Sequence, residues 1–194
     1  MGNDEGLSPN TARKRIANSK QFFQDAVERE LIPRNPFAKC RGAAAANRSR
    51  DRFVTREEIQ KVLEACPDAQ WRLIVALARY GGLRVPSEIL ELRWGDLHWD
   101  VGRITVRSPK TEHHMGKEQR VIPLFPELRK YLEETCEVAR EGSEHIITRY
   151  RGSNTNLRTQ LIRIIERAGL KPWPKLFQNL RASRETELAN QFPA

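Results

Sequence analysis

The apolar residues Trp71, Leu73, Ile74, Leu77 and Ala78 recur at helical spacing behind Asp68 and run directly into the pair Gly81-Gly82. Aspartate caps a helix by accepting one of its orphan N–H groups, and glycine ends one by turning the chain without a Cβ penalty. This segment must therefore be a helix that starts at Asp68 and stops at the glycines, and the rest of the chain has to pack around its apolar side chains. Just upstream, Thr55 with Glu58 forms a capping box for a helix with Ile59, Val62 and Leu63 on its apolar face. Downstream, Ser87 is expected to start a short third helix carrying Ile89, Leu90 and Leu92.

The pattern then changes. Strand-like runs follow at Asp96–Trp99, at Arg103–Arg107 after the Asp100-Val101-Gly102 turn, and at Arg120–Leu124. Pro126 opens a helix to about Arg140, and a short strand is expected at His145–Thr148. Asn154 or Asn156 begins a helix through about Ala168, stopped by Gly169, and a last helix runs from about Pro174 to the end. Mostly helix with one small antiparallel sheet is an α+β class. No internal repeat or low-complexity segment interrupts it.

The N-terminal part reads separately. Ser8-Pro9 is a helix start, and Ile16, Phe23, Ala26 and Val27 mark a helix over about 9–30, ended by Pro33 and Pro36. A single helix cannot bury such a stripe alone, so it either packs on the remainder or is part of a domain whose other helices lie elsewhere. Residues 38–52 show no apolar period and read as a basic linker, although their alanine run can also nucleate helix. The expected organisation is a partial helical segment over 1–40, a basic linker over 41–52 and a main domain over 53–194.

Composition narrows the function. Charged residues make up 30% and apolar residues 39% of the 194 residues, which suits a globular protein. No apolar run approaches the roughly 18 residues of a membrane span, and the first residues lack the basic and apolar regions of a signal peptide. No membrane partner is expected. Three widely spaced cysteines (Cys40, Cys66 and Cys136) fit reduced thiols in a cytoplasm better than disulfides or a zinc site. A net charge of +9 favours a polyanionic partner. Residues 8–50 alone carry ten basic side chains against three acidic ones. These are Arg13, Lys14, Arg15, Lys20, Arg29, Arg34, Lys39, Arg41, Arg48 and Arg50, which fit either a solvated face or a nucleic-acid contact.

Three places can carry chemistry. Arg84 follows the glycine pair in Arg79-Tyr80-Gly81-Gly82-Leu83-Arg84-Val85-Pro86-Ser87-Glu88, where a guanidinium and a following helix start could converge on an anion. The same spacing also allows a plain Arg84–Glu88 salt bridge. Lys110, in Ser108-Pro109-Lys110-Thr111-Glu112-His113-His114, lies between strand-like runs at an expected hairpin tip. It can reach a bound duplex or simply be solvated, as can Lys117. Adjacent histidines in a strand point to opposite faces, which argues against His113-His114 as a metal site. Arg181 lies in Asn179-Leu180-Arg181-Ala182-Ser183-Arg184-Glu185, on an amphipathic helix with Leu180 and Leu188. Alone it reads as a helix arginine paired with Glu185.

In their order these segments resemble the tyrosine recombinase, or phage integrase, family. Residues 79–99 (RYGGLRVPSEILELRWGDLHW), the SPKTEHH hairpin and the NLRASRETEL helix carry the resemblance across about 53–194. Residues 8–40 resemble the end of that family's helical core-binding domain. The resemblance implies that Arg84 and Arg181 are the two arginines that grip the scissile phosphate of double-stranded DNA, and that Lys110 protonates the leaving 5′-oxygen. A family tyrosine attacks phosphorus to give a 3′-phosphotyrosyl link, with no cofactor, metal or ATP. It also implies a homo-tetramer on paired DNA sites for the full-length protein, in the cytoplasm of a bacterium or in a phage-infected cell, close to the nucleoid.

The sequence departs from the family pattern in three ways. Gln178 stands where a histidine is usual, three residues before Arg181, and glutamine can donate a hydrogen bond but cannot shuttle a proton. Glu88 lies four residues after Arg84, where three is common, with Pro86 in the turn to absorb the extra residue. Tyr80, Tyr131 and Tyr150 all precede Arg181, whereas the family nucleophile lies downstream of it. The expectation is a fragment of a recombinase that binds DNA without cleaving it, with Arg13, Lys14, Arg15, Lys20, Arg48, Arg50 and Lys117 as DNA contacts. The alternatives are a non-cleaving DNA-binding module of the same fold and a basic α+β protein with an acidic partner.

Overall fold

The computed structural model describes residues 7–42, 50–107, 119–152 and 155–193. They belong to two compact units, one within residues 1–49 and one within 50–194.

In the first unit α1 spans Pro9–Glu28, with the Ser8 hydroxyl accepting from the Thr11 N–H. The helix stops before the prolines because Glu30 takes a left-handed conformation (φ 58°) and reverses the chain. The returning segment covers the helix. Asn35 donates to the Lys20 carbonyl at 2.9 Å, and the Phe37 ring sits 5.0 Å from that of Phe23. The apolar stripe of α1 is thus covered in part by its own following segment, although no residue of the helix is fully buried.

The second unit is built on the expected central helix, α3 (Ala69–Arg79), capped by Asp68, whose carboxylate accepts from the Trp71 N–H. α2 (Arg56–Glu64) precedes it with the complete Thr55–Glu58 capping box. Trp71, Leu73, Ile74 and Leu77 are entirely buried, and side chains of this kind each contribute about 1.5–3 kcal/mol on burial. A three-stranded antiparallel sheet in the order β1 (Leu97–His98), β2 (Arg103–Arg107) and β3 (Gln119–Pro123) follows. Ile104 and Val106 point from β2 into the core. Helices α4 (Pro126–Glu137), α5 (Leu157–Arg167) and α6 (Leu176–Gln191) complete the unit, and the α+β, mostly helical class is as expected. Among the described residues no helix is long and apolar enough to cross a membrane.

Two expected elements are corrected. Residues 85–91 form consecutive turns instead of a helix starting at Ser87. The N–H groups of Glu88 and Ile89 both donate to the Arg84 carbonyl, and Pro86 has no N–H to offer, so a regular helical ladder cannot start there. His145–Thr148 is not a strand either. His145 makes one isolated bridge with Arg93, and the N–H groups of Thr148 and Arg149 then go to the side-chain oxygen of Gln70.

α3 and α6 are joined by a buried charge. The Arg79 guanidinium is wholly inaccessible and donates to the Val54 carbonyl (3.0 and 3.3 Å) and to both carboxylate oxygens of Glu187 (2.6 and 3.0 Å). The Arg79 hydrogen bonds, helped by the charges of Arg79 and Arg56, pull the Glu187 carboxyl down to about 2 against the cost of its burial. Glu187→Ala strands a buried guanidinium and should destabilise the chain by about 3 kcal/mol or more in urea unfolding. The depressed carboxyl adds a pH signature. Its contribution is complete above the ordinary carboxyl value of 4.5 and disappears as pH falls from there through about 2. Unfolding midpoints measured across that window should fall for the wild type and run flatter for Glu187→Gln; parallel curves would dismiss the pair as a stabilising element.

Candidate functional site

A cleft of about 520 Å³ is lined by Leu83, Arg84, Val85, Pro86, Ser87, Phe177, Gln178 and Arg181. Two segments far apart in sequence therefore meet there: the turn after α3 and the start of α6.

The turn is possible because of its glycines, for two different reasons. Gly82 has φ +65°, where an L side chain is strained, and it lies beside α6, where a Cβ would come 4.0 Å from Arg181 Cγ. At Gly81 a Cβ would lie 2.8 Å from the Leu77 carbonyl oxygen and equally close to Leu83. The chain then passes through Leu83, buried, into Arg84, whose side chain is 35% exposed. The Val85–Pro86 peptide is cis.

Arg84 is held from below. The Glu88 carboxylate, with no exposed surface, accepts from the Arg84 backbone N–H at 2.8 Å and from its Nη1 at 2.6 Å. The salt bridge and the anion grip, alternatives in sequence, are compatible in space: the carboxylate lies buried and the guanidinium remains partly open. Glu88 also accepts both Nη groups of Arg120, at 2.6 and 2.7 Å. Sequence reasoning missed Arg120, and no local signal marks it, since its partner lies 32 residues away.

α6 presents the other wall. Its packed face is polar as well as apolar, with Leu176, Asn179, Leu180, Ser183 and Arg184 buried. Asn179 donates to the carbonyls of Arg50 and Pro174, and the Ser183 hydroxyl accepts from the Val54 N–H and donates to the Asn179 carbonyl. With that face fixed, helical spacing leaves Gln178, Arg181 and Glu185 on the opposite one. Arg181 is 29% exposed and donates through Nε to Glu185 at 2.8 Å, while Gln178 is exposed.

Arg84, Gln178 and Arg181 are thus brought to one cleft. Lys110, Lys117, Arg48 and the His113-His114 pair lie outside the described residues. Arg13, Lys14 and Arg15 are exposed on α1, Lys20 is half-buried on the same helix, and Arg50 is exposed in the second unit. The three tyrosines are engaged elsewhere and none lines the cleft. Tyr80 and Tyr131 are buried. Tyr150 donates its hydroxyl to Asp68 at 2.5 Å, and burial together with that bond pushes it up to about 12. Chemically the cleft offers fixed guanidinium charge and an amide donor, a set suited to a tetrahedral oxyanion.

Comparison with known proteins agrees with this architecture. The model of the phage integrase family matches residues 52–192. The tyrosine recombinase XerA of Thermococcus kodakarensis is 33% identical over 156 residues, covering 74% of this chain and 51% of that protein. A lambda integrase dimer bound to a COC' core site superposes with a TM-score of 0.76 at 24% identity, over 97% of this chain and 70% of that one. A lambda integrase tetramer bound to a Holliday junction gives 0.73 at 22% identity, over 98% and 57%. Those two likenesses speak for the fold. The chain spans about half the length of the curated relatives it matches.

The turn that places Arg84 beside Arg181 should be intolerant of side chains. Gly82→Ala forces a left-handed alanine and is expected to cost about 1 kcal/mol. Gly81→Ala pushes a methyl into a backbone carbonyl and should cost more than that. Thermal melts of both variants decide the matter, and wild-type stability in Gly81→Ala would show that the turn can relax.

Proposed function

The chain belongs to the phage integrase family, and from that premise we propose that it serves site-specific DNA recombination by transesterification, contributing the grip on the scissile phosphate. The observation that carries this reading is the meeting of Arg84, Gln178 and Arg181 around one cleft. In it the two guanidiniums hold the non-bridging oxygens and stabilise the charge that builds on them during attack. Gln178 adds a neutral hydrogen-bond donor. Lys110 protonates the departing 5′-oxygen, which would otherwise leave as a poor alkoxide.

None of this chain's three tyrosines is placed as the attacking group that forms the 3′-phosphotyrosyl intermediate. Tyr80 and Tyr131 are buried, Tyr150 is bonded to Asp68, and none lines the cleft. The 194 residues on their own bind DNA without cutting it. Family membership supports this reading over a module that never takes part in strand exchange.

Double-stranded DNA is the partner. The basic residues Arg13, Lys14, Arg15, Lys20, Arg48, Arg50 and Lys117 add sequence-independent phosphate contacts. The same reading includes assembly as a homo-tetramer on paired sites and work in the cytoplasm at the nucleoid. The lambda integrase tetramer on a Holliday junction supports that assembly by likeness of fold.

Salt titration of duplex binding, followed by fluorescence anisotropy, tests the reading. The logarithm of affinity should fall linearly with the logarithm of salt concentration, and Arg84→Ala or Arg181→Ala should each reduce the slope by about 1. The triple variant Arg13→Gln, Lys14→Gln, Arg15→Gln should reduce it by about 2 or more. Slopes and affinities that neither arginine variant alters would remove both residues from the phosphate contact.

A further inference from the structure

Arg120 stands in an unusual place for an arginine. It pairs with Val106 across β2 and β3, and directly opposed residues of neighbouring strands share a face of the sheet. Val106 is fully buried, so Arg120 is directed to the core side, while its neighbour Val121 is 58% exposed on the other. A cation turned inward is costly unless an anion meets it. The anion is Glu88, whose two oxygens take both Nη groups of Arg120 while also holding Arg84.

We propose that Arg120 is a positioning residue for phosphate capture, which shares the Glu88 carboxylate with Arg84 and thereby keeps the Arg84 guanidinium oriented without neutralising it. A carboxylate paired to Arg84 alone would present an incoming anion with a dipole of no net charge. With Arg120 on the same carboxylate, the negative charge that Glu88 sets against Arg84 is shared with a second guanidinium. Their arrangement also faces the correct way. The Glu88 side chain is 0% exposed, whereas Arg84 and Arg120 are 35% and 34% exposed, so an approaching phosphate meets the guanidiniums with the carboxylate behind them. The inference rests on the phosphate reading of the cleft and adds to it a residue that does not line it.

The test uses inorganic phosphate as the probe and the whole 194-residue chain, reading the arginine Nε–H resonances by NMR. Wild-type protein should show saturable shifts at Arg84 and Arg181. Arg120→Gln should weaken phosphate binding by about tenfold, as expected for one lost charge at a partly exposed site. The double variant Glu88→Gln, Arg120→Gln removes the carboxylate that Arg120 offsets, and should bind more tightly than Arg120→Gln but more weakly than the wild type, because the charge returns and the orientation does not. A purely structural role for Arg120 gives no such rescue. Arg103→Gln, on the outward face of the same sheet, should leave binding unchanged. Arg120→Lys, which keeps the charge without the two-pronged hold, serves should Arg120→Gln fail to fold, and it should retain most of the affinity. Absence of saturable shifts in the wild type overturns the phosphate reading and this inference with it. Wild-type binding that survives in a folded Arg120→Gln, or a folded double variant as weak as the single one, overturns the role of Arg120 alone.

Discussion

The second unit depends on the burial of one guanidinium. Arg79 ends α3 with no contact to solvent, and an ion in such a place is tolerated only when its donors are met. They are met by the Val54 carbonyl, just before α2, and by Glu187, near the end of α6. Three segments distant in sequence are thereby fixed at one point. The consequences reach in both directions along the chain. Arg84 follows Arg79 after the glycine turn, and Arg181 precedes Glu187 by less than two helical turns, so the strut that closes the core also sets the distance between the walls of the cleft. Ser183 and Asn179 extend the same seam by bonding the segment from Arg50 to Val54.

Much of this fold was legible in the sequence wherever the determinants were local. The caps at Ser8, Asp68 and Thr55, the Gly81-Gly82 stop and the strand at Arg103–Arg107 depend on neighbours within a few residues and form as read, and of the two asparagines offered for α5 it is Asn156 that caps it. The failures have the opposite cause. Ser87 looked like a helix start, but the N–H groups that would seed the helix converge on one carbonyl, and Glu88 is drawn to Arg84 and to Arg120 across the sheet. His145–Thr148 looked like a strand, but Gln70 takes the N–H groups of Thr148 and of Arg149 just after it. α6 was read as amphipathic through Leu180 and Leu188, yet much of its packed face is made of Asn179, Ser183 and Arg184. Polar residues that bury themselves against a distant backbone leave no periodic apolar trace.

The site divides in the same way. Arg84, Gln178 and Arg181 could be named because their surrounding segments resemble a family, and the fold brings them together. Arg120 could not, because its meaning comes from a cross-strand partner and a buried carboxylate. Glu88 was legible only as a local partner of Arg84. In space it is a base plate, bonded to the Arg84 backbone and side chain and to Arg120 at once. A buried carboxylate of this kind orders two flexible cations before any ligand arrives, and ordering beforehand is what makes charge effective against a developing oxyanion.

The cleft's composition also constrains how chemistry there must be divided. Among the described residues its lining holds two guanidiniums, an amide and a serine hydroxyl beside apolar side chains, and no histidine, lysine, cysteine or carboxylate. A guanidinium keeps its charge across the physiological pH range, and an amide does not titrate there. The grip is therefore electrostatically constant while protons move, and the residues that make it cannot move them. A histidine at position 178 would have joined the two roles. Glutamine separates them, keeping the hydrogen bond and giving up the proton. Any proton delivered to a leaving oxygen must then come from a group other than these described lining residues.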